Sequence, residues 1–209
     1  MITLYGAAHS RSCRAMWTLE ELQLSYDYVN VDLRHKRAGA QPLQALNPGQ
    51  KVPVLKHNDF LLTESMAICL YVAELDEGYQ LLPQESPQAR ARLLQWCSFA
   101  ISELEQPLWT LAKHSFVLPK ALRIPAVGET ARHEFNTALR VLAAGLDDRP
   151  CILGEQFTVA DILIANTLDW ARSATWSLQD PALEDYRDRM LRRPALVRAR
   201  QREAASANA

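Results

Sequence analysis

Apolar and polar positions change their period partway along the chain and divide it into two unlike halves. Ile2 to Tyr5 is a short β-type run closed by Gly6. From about Ser12 to Leu24 the apolar residues Met16, Leu19 and Leu22 recur at helical spacing while Glu20 and Glu21 face away, which predicts a helix. Tyr26 to Leu33 alternates apolar with polar, as a half-buried strand does. The basic stretch Arg34 to Ala40 reads as loop or a short irregular helix, and Asn47-Pro48-Gly49 is a turn. Val52 to Lys56 and Phe60 to Thr63 read as two strands joined at His57-Asn58-Asp59, and a helix then runs from Ser65 through Ile68, Cys69, Tyr71, Val72 and Leu75. This β-α-β then β-β-α order predicts an α/β domain with a mixed four-stranded sheet covered by helices.

Gly78 to Pro87, with its prolines and turn residues, reads as a linker, so the domains are expected at 1–77 and 88–209. Beyond the linker the pattern is all-helical. Leu93, Cys97, Ile101, Leu104, Leu108 and Leu111 form one apolar stripe of a long helix, which Pro107 should kink by removing a backbone donor. A further helix carries Phe135, Leu139, Leu142 and Leu146 and ends near Asp147. Thr158-Val159-Ala160-Asp161 is a capping box, with Phe157 and Ile162 placed to staple it, and it is read as structural. A last helix is expected around Ala195 to Ala204, followed by a frayed tail.

Composition narrows the classes. The 209 residues are 48% hydrophobic and 22% charged, as in an ordinary globular protein, and the formal net charge is -1. A chain without basic excess is a poor partner for nucleic acid. No apolar run approaches the roughly 20 residues that span a bilayer, and no export signal precedes the first strand, so a soluble cytoplasmic protein is expected. Cys13, Cys69, Cys97 and Cys151 are scattered, with neither a Cys-x-x-Cys pair nor a histidine cluster, so no metal site is expected and most of these thiols read as buried small hydrophobes.

Three features stand where packing alone does not require them. Ser10-Arg11-Ser12-Cys13-Arg14 opens a helix, where unpaired amides and the dipole favour an anion. A hydroxyl there can hold a bound thiolate, a cysteine there can have a lowered pKa, and a serine there can equally be only a cap. Val52-Pro53 opens an apolar strand with a residue that cannot donate to a ladder. Either this is an edge position, or the bond is cis and turns the Val52 amide and carbonyl toward an extended peptide. Thr63-Glu64-Ser65 starts another helix, as a cap or as a grip on the amino-acid end of a ligand.

Val52-Pro53-Val54-Leu55 after Asn47-Pro48, with Thr63-Glu64-Ser65-Met66-Ala67-Ile68, closely resembles the thioredoxin-like domain of the cytosolic glutathione transferases. The Phe157 to Ile162 capping segment resembles that family's helical domain, and the resemblance spans essentially the whole chain. It implies a thioredoxin-like N-terminal domain, an all-α C-terminal domain, glutathione as co-substrate and a homodimer. Ser10, four residues before Arg14, matches the serine-type classes with theta-, zeta- and delta-like bacterial relatives, with Ser12 and Cys13 as runners-up. The same resemblance implies that Val52 before Pro53 pairs with the cysteinyl part of glutathione and that Glu64 and Ser65 bind its γ-glutamyl end. Lys51, with His35 or Arg37 less well aligned, would neutralise the glycyl carboxylate. Met66 replaces the charged residue that some classes carry after the serine.

The implied activity is conjugation of the glutathione thiolate to a small hydrophobic electrophile. The electrophile pocket is expected between the domains, along the kinked helix, with Trp96, Phe99, Glu103, Trp109 and His114 as candidates. Two other readings use the same scaffold: a glutathione-dependent peroxidase or disulfide reductase, and a non-catalytic assembly module.

Overall fold

The computed structural model describes residues 1–39, 41–84 and 86–207. The end of the Arg34 to Ala40 loop, one linker position and the last two residues of the expected frayed tail lie outside the described residues. The chain divides into two compact units, one of Met1–Leu82 with Leu191–Ala209, the other of Pro83–Met190.

In the first unit the strands are β1 (Ile2–Gly6), β2 (Asp27–Asp32), β3 (Arg37–Ala38), β4 (Gln41–Pro42), β5 (Val54–His57) and β6 (Phe60–Thr63), with helices α1 (Ser12–Glu21) and α2 (Ser65–Glu74). The sheet order is β4-β3-β2-β1-β5-β6. β1 is parallel to β2 and antiparallel to β5, so it is central, and its Leu4 is fully buried. The four expected strands are thus joined by two of two residues each, β3 inside the Arg34 to Ala40 stretch read as loop or short irregular helix and β4 directly after it. Gly39 at φ 60 reverses the chain, and Ala38 pairs with Val31 and is buried against it, a gain that no two-residue period reveals.

α1 stops at Glu21, short of the expected Leu24. Gln23 takes φ 52, and the Leu24 amide reaches back to the Leu19 carbonyl at 3.0 Å, a Schellman ending made without glycine. The β5–β6 hairpin turns through Asn58 and Asp59, with Asn58 left-handed at φ 55.

The second unit is helical: α3 (Pro87–Phe99), α4 (Glu105–Ala112), α5 (Val127–Leu146), α6 (Val159–Ser173) and α7 (Pro181–Leu191). Ser86 caps α3 by accepting the Ala89 amide at 3.1 Å, with Pro87 in the first turn, so the helix begins inside the stretch read as linker. The long stripe keeps a right-handed helical backbone from α3 into α4, with a π-helical turn at Ala100–Leu104 between them. Pro107 lacks the amide that would meet the Glu103 carbonyl, so the irregular geometry falls in the turn preceding the proline. α6 is buried from Val159 through Ala165 and forms the centre of this unit, its start held by the expected capping box.

The remaining helix, α8 (Pro194–Ala207), belongs to the first unit and packs on α1 and β2. The expectation that the whole of 88–209 forms one domain is therefore corrected at its end. Ala195, Leu196 and Ala199 give α8 a buried apolar stripe, and arginines on α8 and just before it find the glutamates of α1.

Candidate functional site

The register brings three separated segments to one end of the sheet. Tyr5 pairs with Val54 and Val54 with Thr63. The loop leaving β1, the Val52-Pro53 entry to β5 and the Glu64-Ser65 exit from β6 therefore share that edge. Tyr5 itself is spent in packing with Val31, Ala38, Leu43, Leu46 and Val54.

The loop carries the serines. Ser10 is partly exposed, and its Oγ donates to the Ala7 carbonyl at 2.6 Å, lies 2.8 Å from Ser12 Oγ and accepts the Ser12 amide at 3.1 Å. It takes the amide of the first residue of α1 and still presents a hydroxyl whose hydrogen can rotate toward a ligand. Ser12 is fully buried, its Oγ accepting the Ala7 amide at 3.3 Å. Gly6 makes this tuck possible. A Cβ there would stand 2.7 Å from Ser12 Cβ and 2.8 Å from the Tyr28 ring.

Cys13 is not the reactive thiol that a helix start can create. Burial, followed by the carboxylate of Glu203, pushes its pKa up to about 11, and together they outweigh the nearby Arg200 and Arg14. The structure thus keeps this thiol protonated.

Across the edge, the Val52–Pro53 bond is cis. Val52 is half-buried against the Tyr5 cluster, while Lys51 is exposed. Asn47 shapes the preceding turn: its Oδ1 accepts the Gly49 amide at 2.8 Å and its Nδ2 donates to the Lys51 carbonyl at 2.9 Å. Glu64 is exposed at φ 68, ψ 114, a sparsely populated backbone for a residue with a side chain, and it sits at the start of α2. Such strain is kept where surrounding structure enforces it, and it clusters at ligand sites. Ser65 is buried, and Arg14 donates to its Oγ at 3.4 Å. Arg14, itself fully buried, so ties α1 to α2 beneath the edge; the sequence reading used it only to align Ser10.

His35 is engaged elsewhere, its Nδ1 2.6 Å from Asp32 Oδ2, and this hydrogen bond holds the exposed Asp32 carboxyl at about 2. Arg37 lies in β3.

The candidates in the helical unit do not all meet at one place. Trp96 and Phe99 meet edge to face at 5.2 Å, and the Trp96 ring lies against Gly145 of α5, which makes it packing. Phe99 and Glu103 line a cleft of about 610 Å³ with Gln106, His133 and Val141. His114 accepts the Ile124 amide at 3.0 Å, and Trp109 is half-buried in α4. Among the described residues no group of histidine, cysteine or acidic side chains is placed to hold a metal, and no helix is long and apolar enough to cross a membrane.

Comparison with known proteins bears on both units. Residues 1–74 match the family model "Glutathione S-transferase, N-terminal domain", and residues 108–194 match "Glutathione S-transferase, C-terminal domain". The chain is 32% identical to glutathione S-transferase theta-1 of Bos taurus over 176 residues, 80% of this chain and 72% of that one. It is 28% identical over 207 residues to the disulfide-bond oxidoreductase YfcG of Escherichia coli K12, covering 95% and 94% of the two chains. A sphingomonad glutathione S-transferase solved with glutathione superposes with a TM-score of 0.86 at 29% identity, covering 97% of this chain and 98% of that one.

Proposed function

Because the chain belongs to the glutathione S-transferase family, with a glutathione-dependent activity, we propose that it conjugates the glutathione thiolate to small hydrophobic electrophiles, with Ser10 as the activating group. The observation that carries this reading is a contrast in exposure. Of the three candidates at the start of α1, Ser10 is partly open, Ser12 is sealed, and Cys13 is buried with a raised pKa.

Glutathione brings the nucleophile, so the protein's task is to hold it ionised. A free thiol has a pKa near 8.5, and each unit of depression corresponds to about 1.4 kcal/mol of preferential thiolate binding. The Ser10 hydrogen, given to the Ala7 carbonyl in the free protein, turns to the sulfur, and the first amides of α1 add their dipole. Glu64 pairs with the γ-glutamyl ammonium, and Ser65 takes its carboxylate through amide and hydroxyl. The Val52 backbone pairs with the cysteinyl amide, and Lys51 neutralises the glycyl end. Holding the thiolate beside the electrophile lowers the barrier further by orientation. We place this homodimeric enzyme in the cytoplasm, where its four free cysteines remain reduced.

A second reading draws on the similarity to the disulfide-bond oxidoreductase: Ser10 holds glutathione for attack on a disulfide instead of a carbon electrophile. The version with Cys13 as nucleophile is disfavoured by its raised pKa.

The test is the ultraviolet difference spectrum of bound glutathione across pH, for the wild type and Ser10→Ala. A thiolate band at neutral pH that Ser10→Ala loses while still binding glutathione supports the assignment; a band that survives the substitution removes Ser10 from the mechanism. Turnover of 1-chloro-2,4-dinitrobenzene against hydroxyethyl disulfide then separates conjugation from reduction.

A further inference from the structure

Ser12 is sealed from solvent, yet its hydroxyl oxygen lies 2.8 Å from the Oγ of Ser10. Which of the two gives the hydrogen follows from counting. A serine hydroxyl has one hydrogen to donate and two lone pairs to accept with. Ser10 donates to the Ala7 carbonyl at 2.6 Å, the shorter of its two contacts. With that hydrogen committed, the 2.8 Å contact is a hydrogen bond only when Ser12 donates. Ser12 has no competing use for its hydrogen. A serine inside a helix gives it to a carbonyl one turn earlier, but Ser12 is the first residue of α1 and no helical turn precedes it. Its other partner is itself a donor, the Ala7 amide at 3.3 Å.

Ser10 Oγ therefore accepts twice from one residue, from the Ser12 amide at 3.1 Å and from the Ser12 hydroxyl. Both of its lone pairs are then occupied, and only its hydrogen is left to offer a ligand. A neutral thiol brings a hydrogen of its own and finds no acceptor at Ser10. A thiolate brings only lone pairs, and it is the stronger acceptor of the two. The Ala7 amide feeds the chain from behind through Ser12 Oγ, and hydrogen bonds in series polarise one another. Ser12 is also packed tightly in place: a Cβ on Gly6 would stand only 2.9 Å from its Oγ.

We propose that Ser12 is a positioning residue for thiol activation: by donating to Ser10 Oγ it makes Ser10 a donor only, so that Ser10 selects the thiolate of bound glutathione over the thiol. This inference rests on the serine reading above. Ser12 acts through Ser10 and is sealed from glutathione and electrophile alike. The thiol proton leaves to water, since Ser10 has no acceptor position left to take it.

The experiment is the pH titration of the bound glutathione thiolate, followed by its ultraviolet band at saturating glutathione. The proteins are the wild type, Ser12→Ala, Ser10→Ala, the double variant and Thr18→Ala. Ser12→Ala frees a lone pair on Ser10 and is expected to raise the midpoint by about 0.5–1 pH unit, roughly three- to tenfold less thiolate below the midpoint. In the Ser10→Ala background the same substitution should add nothing, because its effect passes through Ser10. Thr18→Ala removes a buried hydroxyl from the same helix, one that donates to the Arg14 carbonyl at 2.9 Å, and should lower stability without moving the midpoint. If Ser12→Ala does not fold, Ser12→Cys, whose thiol is a weak donor, should shift the midpoint in the same direction. A wild-type midpoint in Ser12→Ala beside a shifted Ser10→Ala overturns this inference alone. So does a further shift in the double variant, or an equal shift in Thr18→Ala. An unshifted Ser10→Ala overturns the serine reading, and the role of Ser12 with it.

Discussion

The guanidinium of Arg193 holds the carboxylate of Glu21 at two points across 172 residues of chain, Nε to Oε1 at 2.6 Å and Nη2 to Oε2 at 2.9 Å. Trp17 donates to the same Oε1 at 2.8 Å. Glu20, one residue earlier, takes Arg198 and the Tyr26 hydroxyl, each at 3.0 Å. The chain's last helix is in this way locked onto the first helix of the same unit.

Arg193→Ala should accordingly destabilise the protein by about 1–2 kcal/mol, more than an exposed pair contributes, because the Glu21 side chain is only 12% exposed and the contact is bidentate. Arg193→Lys should recover little, since an ammonium cannot reproduce the two-point fork. Urea unfolding midpoints decide this, and an unchanged midpoint in Arg193→Ala would show that the pair is ornamental to stability.

The cysteines predict both a reactivity and a pH dependence. Burial pushes Cys13 and Cys69 up to about 11, above the ordinary value of 9.0 that the unfolded chain restores. Between those values the folded state keeps protons that the unfolded state releases, so stability is complete below pH 9 and falls as the pH climbs toward 11. The loss approaches about 3 kcal/mol per thiol once both are past their folded values. At neutral pH, iodoacetamide should leave the buried cysteines of the native protein unmodified and label all four in denaturant, as read by intact mass. Rapid native labelling of Cys13 would contradict the burial and reopen a cysteine mechanism.

Period and punctuation carried much of this fold in the sequence. A short β-type run closed by Gly6 marked β1, alternation marked β2, the His57-Asn58-Asp59 turn marked the β5–β6 hairpin, and Thr158 with Asp161 marked the start of α6. The misreadings have physical reasons. α1 ends on Gln23 in a left-handed conformation that composition favours only for glycine or asparagine. β3 and β4 are too short to show a period. α8 returns to the first unit through ion pairs whose partners lie far apart in sequence, and no local pattern encodes that. At the candidate site, the residue types were legible, but which serine is open and which is sealed depends on the close approach at Gly6. Ser86 and Pro87 are the one missed signal that could have been read, a cap followed by a first-turn proline.

Gly6→Ala tests that close approach. The new methyl would press on Ser12 and on the Tyr28 ring, neither of which has free space in the sheet edge. A cost of about 1–3 kcal/mol is expected, with weakened glutathione binding because the Ser10–Ser12 contact must shift. Thermal unfolding together with glutathione titration by calorimetry measures both. Unchanged binding would mean that the serine loop tolerates displacement and that its geometry matters less than the exposure of Ser10.

Asp161 gives the sharpest stability prediction because its carboxylate is fully buried and serves four donors. Oδ1 accepts the Ile152 amide and the Tyr186 hydroxyl, both at 2.8 Å, and Oδ2 accepts the Thr158 amide at 2.9 Å and the Thr158 hydroxyl at 3.0 Å. Removing a buried acceptor leaves each donor unsatisfied, so the penalty is set by what remains and not only by the bond lost. Asp161→Ala strands two amides and a buried phenol and should cost about 3–5 kcal/mol. Thr158→Ala removes only the cap hydroxyl and should cost about 1 kcal/mol. Tyr186→Phe removes one donor while the carboxylate keeps three, and about 1 kcal/mol is again expected. Asp161→Asn cannot rescue the site, since its amide group would turn a donor toward the Thr158 donors. The ordering of the four unfolding midpoints is the test. If Asp161→Ala proves no worse than Thr158→Ala, the carboxylate is a local cap and not the point that joins the Ile152 loop, α6 and α7.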